Sequence, residues 1–266
     1  MLGFTFENLD IKNLTQDQFI AIRKAVPLHG VVVIKNQNLC EEDLIAFTHK
    51  FGTPVLLPEA LRFNNTKREH PELARVSNIL PDGTLLKDHT AAEYWHSDGD
   101  FWQPGQNYIF NVLYSLIVPK VGGDTGFVDL ELAYNSLSED LKKKIENLEI
   151  TVSCDEIPDF KDIKPEDRQP DALHRIKHEH IETKKIGLYL GHLFAKLNDL
   201  APAESDTIMG QLTQAIENPA NQYVHKWSVG DVLIWDNTAV MHRGMGGYQN
   251  FKRLLFRTQA FIEPMK

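Results

Sequence analysis

Cysteine is nearly absent. Cys40 and Cys154 are the only two in 266 residues. They lie far apart and in no metal-type spacing, which excludes a disulfide framework and a cysteine-ligated zinc site. Such usage fits a reducing, cytoplasmic setting. Basic residues are also few. Lys and Arg number 28 against 37 Asp and Glu, a formal charge of −9, which argues against nucleic acid or an anionic membrane as the main partner. No stretch approaches the ~20 apolar residues of a membrane span. The opening MLGFTFENLD has neither a basic n-region nor a long apolar run, so it does not read as a secretory signal. There is no internal repeat and no linker that would split the chain, which reads as one domain over 1–266.

What is present is a 42% apolar composition, enough for a sizeable core at this length. Thr15 reads as an N-cap ahead of Phe19, Ile20, Ile22 and Ala25 at helical spacing, with Gly30 past the end. Val31 to Lys35 is a β-branched run suited to a buried strand. Cys40 to Gly52 reads as a second amphipathic helix, with Gly52 as C′. Asn107 to Val118 is a long strand, Ser138 caps a further helix, and HIETKKIGLYLG reads as a hairpin turning at Thr183–Lys185. A helix begins near Glu204. The end is strand-rich: YVHKW, DVLIW and RLLFRTQAFI. Ser153 to His174, rich in proline and charge, reads as a loop over one mouth. Helices early and many strands afterwards predict a mainly β fold with flanking helices, a sandwich or barrel.

The stretch EYWHSDGDFW, Glu93 to Trp102, places His96 and Asp98 two residues apart among aromatics. In an extended chain, i and i+2 share a face. The pair is then either polar punctuation in a turn or two-thirds of a 2-His-1-carboxylate site, which leaves positions open for substrates on Fe(II). Trp95 and Phe101 read as core, and Asp100 has no assigned role. His178 and His180 repeat the i, i+2 spacing beside lysines and read as a solvated face. Trp227 and Trp235 read as packing between sheets.

His242, before a Gly-rich turn, is a third candidate ligand. Arg253 and Arg257 follow in RLLFR, four apart and so on one face of a strand. Buried guanidinium groups need an anion. A dicarboxylic acid bound beside a metal would supply one, and a structural acid such as Glu263 is the alternative for Arg253.

Taken together, WHSD, PKVGGDT, GDVLIWDN, MHR and KRLLFR resemble the taurine dioxygenase / 2,4-D dioxygenase family of Fe(II)- and 2-oxoglutarate-dependent oxygenases, collinear over nearly the whole chain. The resemblance implies a double-stranded β-helix (jelly-roll) fold. It implies that His96, Asp98 and His242 ligate iron, and that Thr125 and Arg253 hold the distal carboxylate of 2-oxoglutarate. Arg257 would lie near both the co-substrate and the primary substrate. The implied reaction consumes O2, converts 2-oxoglutarate to succinate, and hydroxylates or desaturates a substrate C–H bond. Asp98 argues against halogenation, because related halogenases lack the carboxylate ligand. The family also implies a homo-oligomer.

One departure narrows the substrate. Taurine dioxygenase binds its sulfonate with a His and a Tyr after the FG turn and an Asn before the metal histidine. Leu57, Ala60 and Ala92 stand at those places here, so taurine is not the expected substrate. Arg257 favours a small acidic one, with Tyr94 and Asn111 as further candidate substrate contacts. Asn111 is a polar residue inside an apolar strand and has a second reading, as a partner for a neighbouring backbone group. The loops Ala60–Thr90 and Ser153–His174 would carry substrate choice. Two other functions remain open at this point: a cupin-like metalloenzyme that does not use 2-oxoglutarate, and a non-catalytic jelly-roll binding module.

Overall fold

The computed structural model describes residues 2–56, 70–86, 92–153, 168, 170–193 and 196–265. The chain runs β1 (Phe4–Phe6), α1 (Gln16–His29), β2 (Val31–Ile34), α2 (Glu41–His49), β3 (Gly52–Pro54), β4 (Ala74–Ser77), β5 (Ile109–Ile117) and β6 (Thr125–Asp129). It continues with α3 (Leu130–Asn135), α4 (Glu139–Ile145), β7 (Glu149–Val152), β8 (Ala172–Arg175), β9 (Lys177–Glu179), β10 (Ile186–Leu188) and β11 (Lys196–Leu197). The last elements are α5 (Pro202–Glu217), β12 (Gln222–His225), β13 (Val232–Asp236), β14 (Val240–Gly244) and β15 (Leu254–Ile262).

A large sheet is ordered β1-β2-β13-β5-β15-β3, with β4 also on β15. A smaller sheet is ordered β12-β6-β14. Leu113, Leu233 and Leu255 of the large sheet meet Phe127 and Val240 of the small one, with Trp227 and Trp235, in a core between the sheets. This is the expected jelly-roll arrangement, and the two tryptophans pack where the sequence placed them. Helices α1 and α2 cover the outer face of the large sheet with Ile22, Val26, Leu44 and Phe47. Helices α3, α4 and α5 cover the outer face of the small sheet, and Trp95 and Phe101 join that cluster. Each fully buried Phe or Leu contributes roughly 1.5–3 kcal/mol. Strand β2 is buried along its whole length, as its unbroken VVVI run requires of a strand covered on both faces.

Local signals explain the boundaries. Thr15 and Gln18 cap α1 reciprocally, side chain to backbone in each direction. Gly30 ends that helix with φ +66°. The expected hairpin is present and joins β9 to β10 in antiparallel register, with its turn at 181–183, slightly ahead of the expected Thr183–Lys185.

Three sequence expectations are corrected. Gly52 is not a helix C′: α2 ends at His49, Lys50 is its C-cap, and Gly52 opens β3. Glycine is needed there because a Cβ would lie 2.0 Å from the Phe261 carbonyl oxygen on β15. Part of the 153–174 stretch is not loop, because Ala172–Arg175 pairs with β7. Residues 154–167 lie outside the described residues. His178 and His180 do not form a solvated face. His180 is buried, and its Nε2 lies 2.9 Å from Asp236 Oδ2. No helix among the described residues is long and apolar enough to cross a membrane.

Candidate active site

His96 occupies a one-residue strand. Its N–H donates to the His242 carbonyl at 3.1 Å, and His242 N–H returns the bond at 2.9 Å. On its other side His96 bridges His192. The motif therefore extends the small sheet beyond β14. His96 and His242 stand directly opposite each other, with their rings 4.2 Å apart at the centroids. Opposed residues of an antiparallel pair project to the same face, which brings side chains distant in sequence together.

The extended segment stops at Ser97. Asp98 opens a turn rather than continuing a strand, and its backbone is held by the Asn237 side chain. Asn237 Oδ1 accepts from Asp98 N–H at 3.0 Å, and Asn237 Nδ2 donates to the Asp98 carbonyl. The carboxylate then lies with Oδ1 3.9 Å from His96 Nε2 and Oδ2 3.7 Å from His242 Nε2. One donor atom from each of His96, Asp98 and His242 falls within 4.8 Å of the others. Ligands at about 2.1 Å from one divalent ion at right angles are about 3 Å apart, so a modest inward closure brings all three onto one ion. The protonation states also suit a cation. His96 Nδ1 lies 2.9 Å from the Tyr94 carbonyl. A proton on Nδ1 satisfies that oxygen and leaves Nε2 as the free lone pair. Burial, then the neighbouring His96, hold the His242 pKa well below its usual value, which keeps that ring neutral. Burial raises the Asp98 pKa, but nearby positive charge, the Arg257 guanidinium foremost, outweighs it and leaves the carboxyl below its ordinary range.

Arg257 Nη1 is 3.3 Å from both Asp98 oxygens, and the Gln259 side-chain amide lies 3.2 Å from Oδ2. Arg253, on the same side four residues earlier, does not reach the triad. It is buried, its Nε donates to the Gly123 carbonyl at 3.0 Å, and its guanidinium sits 5.3 Å over the Tyr248 ring. Burial pushes its pKa down. Among the described residues no carboxylate, Glu263 included, stands within ion-pair distance of it. Two residues from Gly123, Thr125 is buried and its Oγ1 accepts from Trp227 Nε1 at 3.0 Å. An indole N–H only donates, so the Thr125 hydroxyl keeps its proton for another acceptor. A buried guanidinium without an anion and a hydroxyl with a proton to give fit a carboxylate ligand.

Tyr94 is half-buried, with its ring 5.2 Å from that of His96. Asn111 is fully buried, so its neighbours are protein groups. Leu57 and Ala60 lie outside the described residues. Ala92 adopts φ +46° and its carbonyl accepts from Gly244 N–H. Sequence reasoning gave no role to Asn237, Gln259 or Asp100, and read Trp227 only as packing between sheets. Asp100 is buried against His192 Nδ1, and its carbonyl oxygen lies 2.7 Å from His174 Nε2. It thereby ties the segment that bridges His96 to the turn after Asp98. The WDN run was the available signal for Asn237.

A family model described as taurine catabolism dioxygenase TauD, TfdA family matches residues 2–259. The chain is 28% identical over 253 residues to the alpha-ketoglutarate-dependent 2,4-dichlorophenoxyacetate dioxygenase of Cupriavidus pinatubonensis, covering 90% of this chain and 87% of that one. It is 26% identical over 283 residues to the (S)-phenoxypropionate/alpha-ketoglutarate-dioxygenase of Sphingobium herbicidovorans, covering 98% and 92%. The crystal structure of AAD-2 with Mn(II) and N-oxalylglycine superposes with a TM-score of 0.81 at 26% identity, covering 100% of this chain and 97% of that one.

Proposed function

Because the chain belongs to the taurine catabolism dioxygenase TauD, TfdA family and is accordingly an Fe(II)- and 2-oxoglutarate-dependent oxygenase, we propose that His96, Asp98 and His242 hold its metal. In this reading Thr125 and Arg253 receive the distal carboxylate of 2-oxoglutarate, and a small carboxylate-bearing molecule is the primary substrate. The observation that carries the proposal is the convergence of the His96–Asp98 pair with the sequence-distant His242, one donor atom from each within 4.8 Å of the others.

With metal and co-substrate bound, the site couples decarboxylation of 2-oxoglutarate to succinate and CO2 with oxidation of a C–H bond by O2. The chain's own residues do the rest. Tyr94 fixes the His96 tautomer through its carbonyl. Asn237 holds the backbone of Asp98, so that the carboxylate sits between the two rings. The Arg253 guanidinium and the Thr125 O–H offer three or more donors to one carboxylate, in a buried site where such bonds are strong. Arg257, partly exposed beside Asp98, is the group that would meet an acidic substrate. Relatives that act on phenoxyacetates and phenoxypropionates support that substrate class, and Tyr94 lines the same approach. Hydroxylation is the expected outcome. A homo-oligomer in the cytoplasm completes the proposal, and light scattering on the purified protein checks the assembly.

Anaerobic addition of Fe(II) and 2-oxoglutarate should give a weak visible charge-transfer band that His96→Ala abolishes. A folded sample with no such band, or a band that survives His96→Ala, would overturn the assignment. A succinate-release screen over small carboxylates, read by mass spectrometry, identifies the substrate. A product heavier by one oxygen marks hydroxylation, and one lighter by two hydrogens marks desaturation.

A further inference from the structure

Two uncharged amides are buried inside the barrel among apolar side chains. Asn111 lies mid-β5 and is 0% exposed, and Gln259 on β15 is 7% exposed. They are direct cross-strand partners, and Trp235 on β13 is the partner of Asn111 on its other side. An unpaired buried amide costs about 1–3 kcal/mol, so both need partners.

Trp235 fixes the arrangement. Its Nε1 only donates, and it lies 3.2 Å from one end of the Asn111 amide, which is therefore the oxygen. The Asn111 nitrogen then faces Asp98 Oδ2 at 2.9 Å. The Gln259 amide stands 2.6 Å from that nitrogen, so it presents its oxygen there and accepts from Asn111, steadying the donor that reaches Asp98. A polar chain thus runs from indole to amide to carboxylate, across three neighbouring strands of the large sheet, and ends on one atom.

We infer that Asn111 and Gln259 are positioning residues for the metal centre: Asn111 ties Oδ2 of Asp98 into the large sheet, Gln259 holds the Asn111 amide to that task, and together they set the orientation in which the carboxylate is offered to the ion. The inference rests on Asp98 being a ligand. The residue type suits the task. A neutral amide grips the carboxylate without neutralising it, so its negative charge stays available to a divalent cation. Asn237 holds the backbone of Asp98 and the amide pair holds its carboxylate, which leaves little freedom about χ1 and χ2. The small sheet supplies the two histidines and the large sheet orients the acid, so the centre is assembled across the barrel.

A structural role and a positioning role differ in what they predict. Apolar replacements of similar size at buried polar sites are often close to neutral for folding, whereas loss of an outer partner of a ligand weakens metal affinity about 10–100-fold. The test is titration of metal-stripped protein with Mn(II), read by the electron paramagnetic resonance of free ion. Asn111→Leu and Gln259→Leu should each weaken binding about 10-fold or more, and the double variant should be little worse than the weaker single, because the two act as one unit. The Fe(II)·2-oxoglutarate band should also shift. Thr258→Val, on the opposite face of β15 where Thr258 meets Thr48, should bind Mn(II) as wild type does. Folded Asn111→Leu and Gln259→Leu proteins with wild-type affinity would overturn the inference. If Asn111→Leu does not fold, Gln259→Leu decides. Wild-type affinity in His96→Ala would instead remove the triad itself, a separate result from the same titration.

Discussion

Asn237 treats Asp98 as a strand neighbour would: its side-chain oxygen takes the Asp98 N–H at 3.0 Å and its side-chain nitrogen gives to the Asp98 carbonyl. Asn237 is fully buried, and its own N–H donates to the Ile109 carbonyl at 3.0 Å. One amide thereby pairs both backbone groups of a residue that has left the sheet for a turn. Asn237→Ala should leave both unpaired, at about 1–3 kcal/mol each. The melting temperature of metal-free protein should fall by several degrees and Mn(II) affinity should fall with it. Asn237→Asp keeps only the acceptor half and should lie between. An Asn237→Ala protein with wild-type melting and metal affinity would show that the turn holds Asp98 without this bracket.

The difference between Asn237 and the triad explains what was legible in the sequence. His96, Asp98 and His242 are ionisable residues in spacings that few structural needs produce, and RLLFR puts two cations on one strand face. Those stand out against an apolar background. Asn237, Gln259 and Asn111 carry no charge and no spacing rule, and whether an amide in a strand faces a ligand or a neighbouring carbonyl depends on cross-strand partners. The helices were legible through caps, as at Thr15. Gly52 misled because a glycine after an amphipathic run signals a helix end, while the actual demand was the approach of β15, some two hundred residues later. His180 misled because its partner, Asp236, lies in a distant strand, so the local lysines suggested solvent.

The Trp227–Thr125 contact yields a prediction about polarity. Trp227 Nε1 donates to Thr125 Oγ1 at 3.0 Å, which commits the hydroxyl to donate elsewhere. Trp227→Phe keeps most of the packing and frees the hydroxyl to turn. One hydrogen bond is worth about 0.5–1.5 kcal/mol, so KM for 2-oxoglutarate should rise by roughly 2–13-fold with kcat little changed. Thr125→Val should cost at least as much. An unchanged KM in Trp227→Phe would mean that the hydroxyl is oriented by another group.

Arg253 depends on a glycine as well as on its own charge. Gly123 has φ +76°, and a Cβ there would stand 2.6 Å from Pro119 Cγ and 3.2 Å from Arg253 Cδ. Gly123→Ala is therefore both strained and obstructive, and should displace the guanidinium that its carbonyl now anchors. Titration of the Fe(II) protein with 2-oxoglutarate should show weaker binding in Gly123→Ala and in Arg253→Lys, since an ammonium cannot reproduce the planar fork. The metal alone should bind both variants as it binds wild type. Normal 2-oxoglutarate affinity in Arg253→Lys would remove Arg253 from the co-substrate site.

The acid limb of stability should contain a contribution from His178. Its Nε2 is buried with no hydrogen-bond partner among the described residues. Burial, and then the neighbouring His180, push its pKa down to about 4, with His174 acting in the same direction and Asp236 and Glu179 opposing. In the unfolded chain the same ring takes its proton near pH 6.5. Between those two values the unfolded state binds more protons, so stability rises with pH across that window. The contribution is fully present above about pH 6.5 and is lost as the pH falls toward 4. Carboxylates titrate in the lower part of this range too, so the informative quantity is the difference between variants. Thermal denaturation of wild type should lose more between pH 7.5 and pH 5 than His178→Gln does, by about a few degrees, since a domain of this size moves about 2–4 °C per kcal/mol. Parallel curves for the two proteins would show that His178 takes up its proton in the folded state as readily as in the unfolded chain.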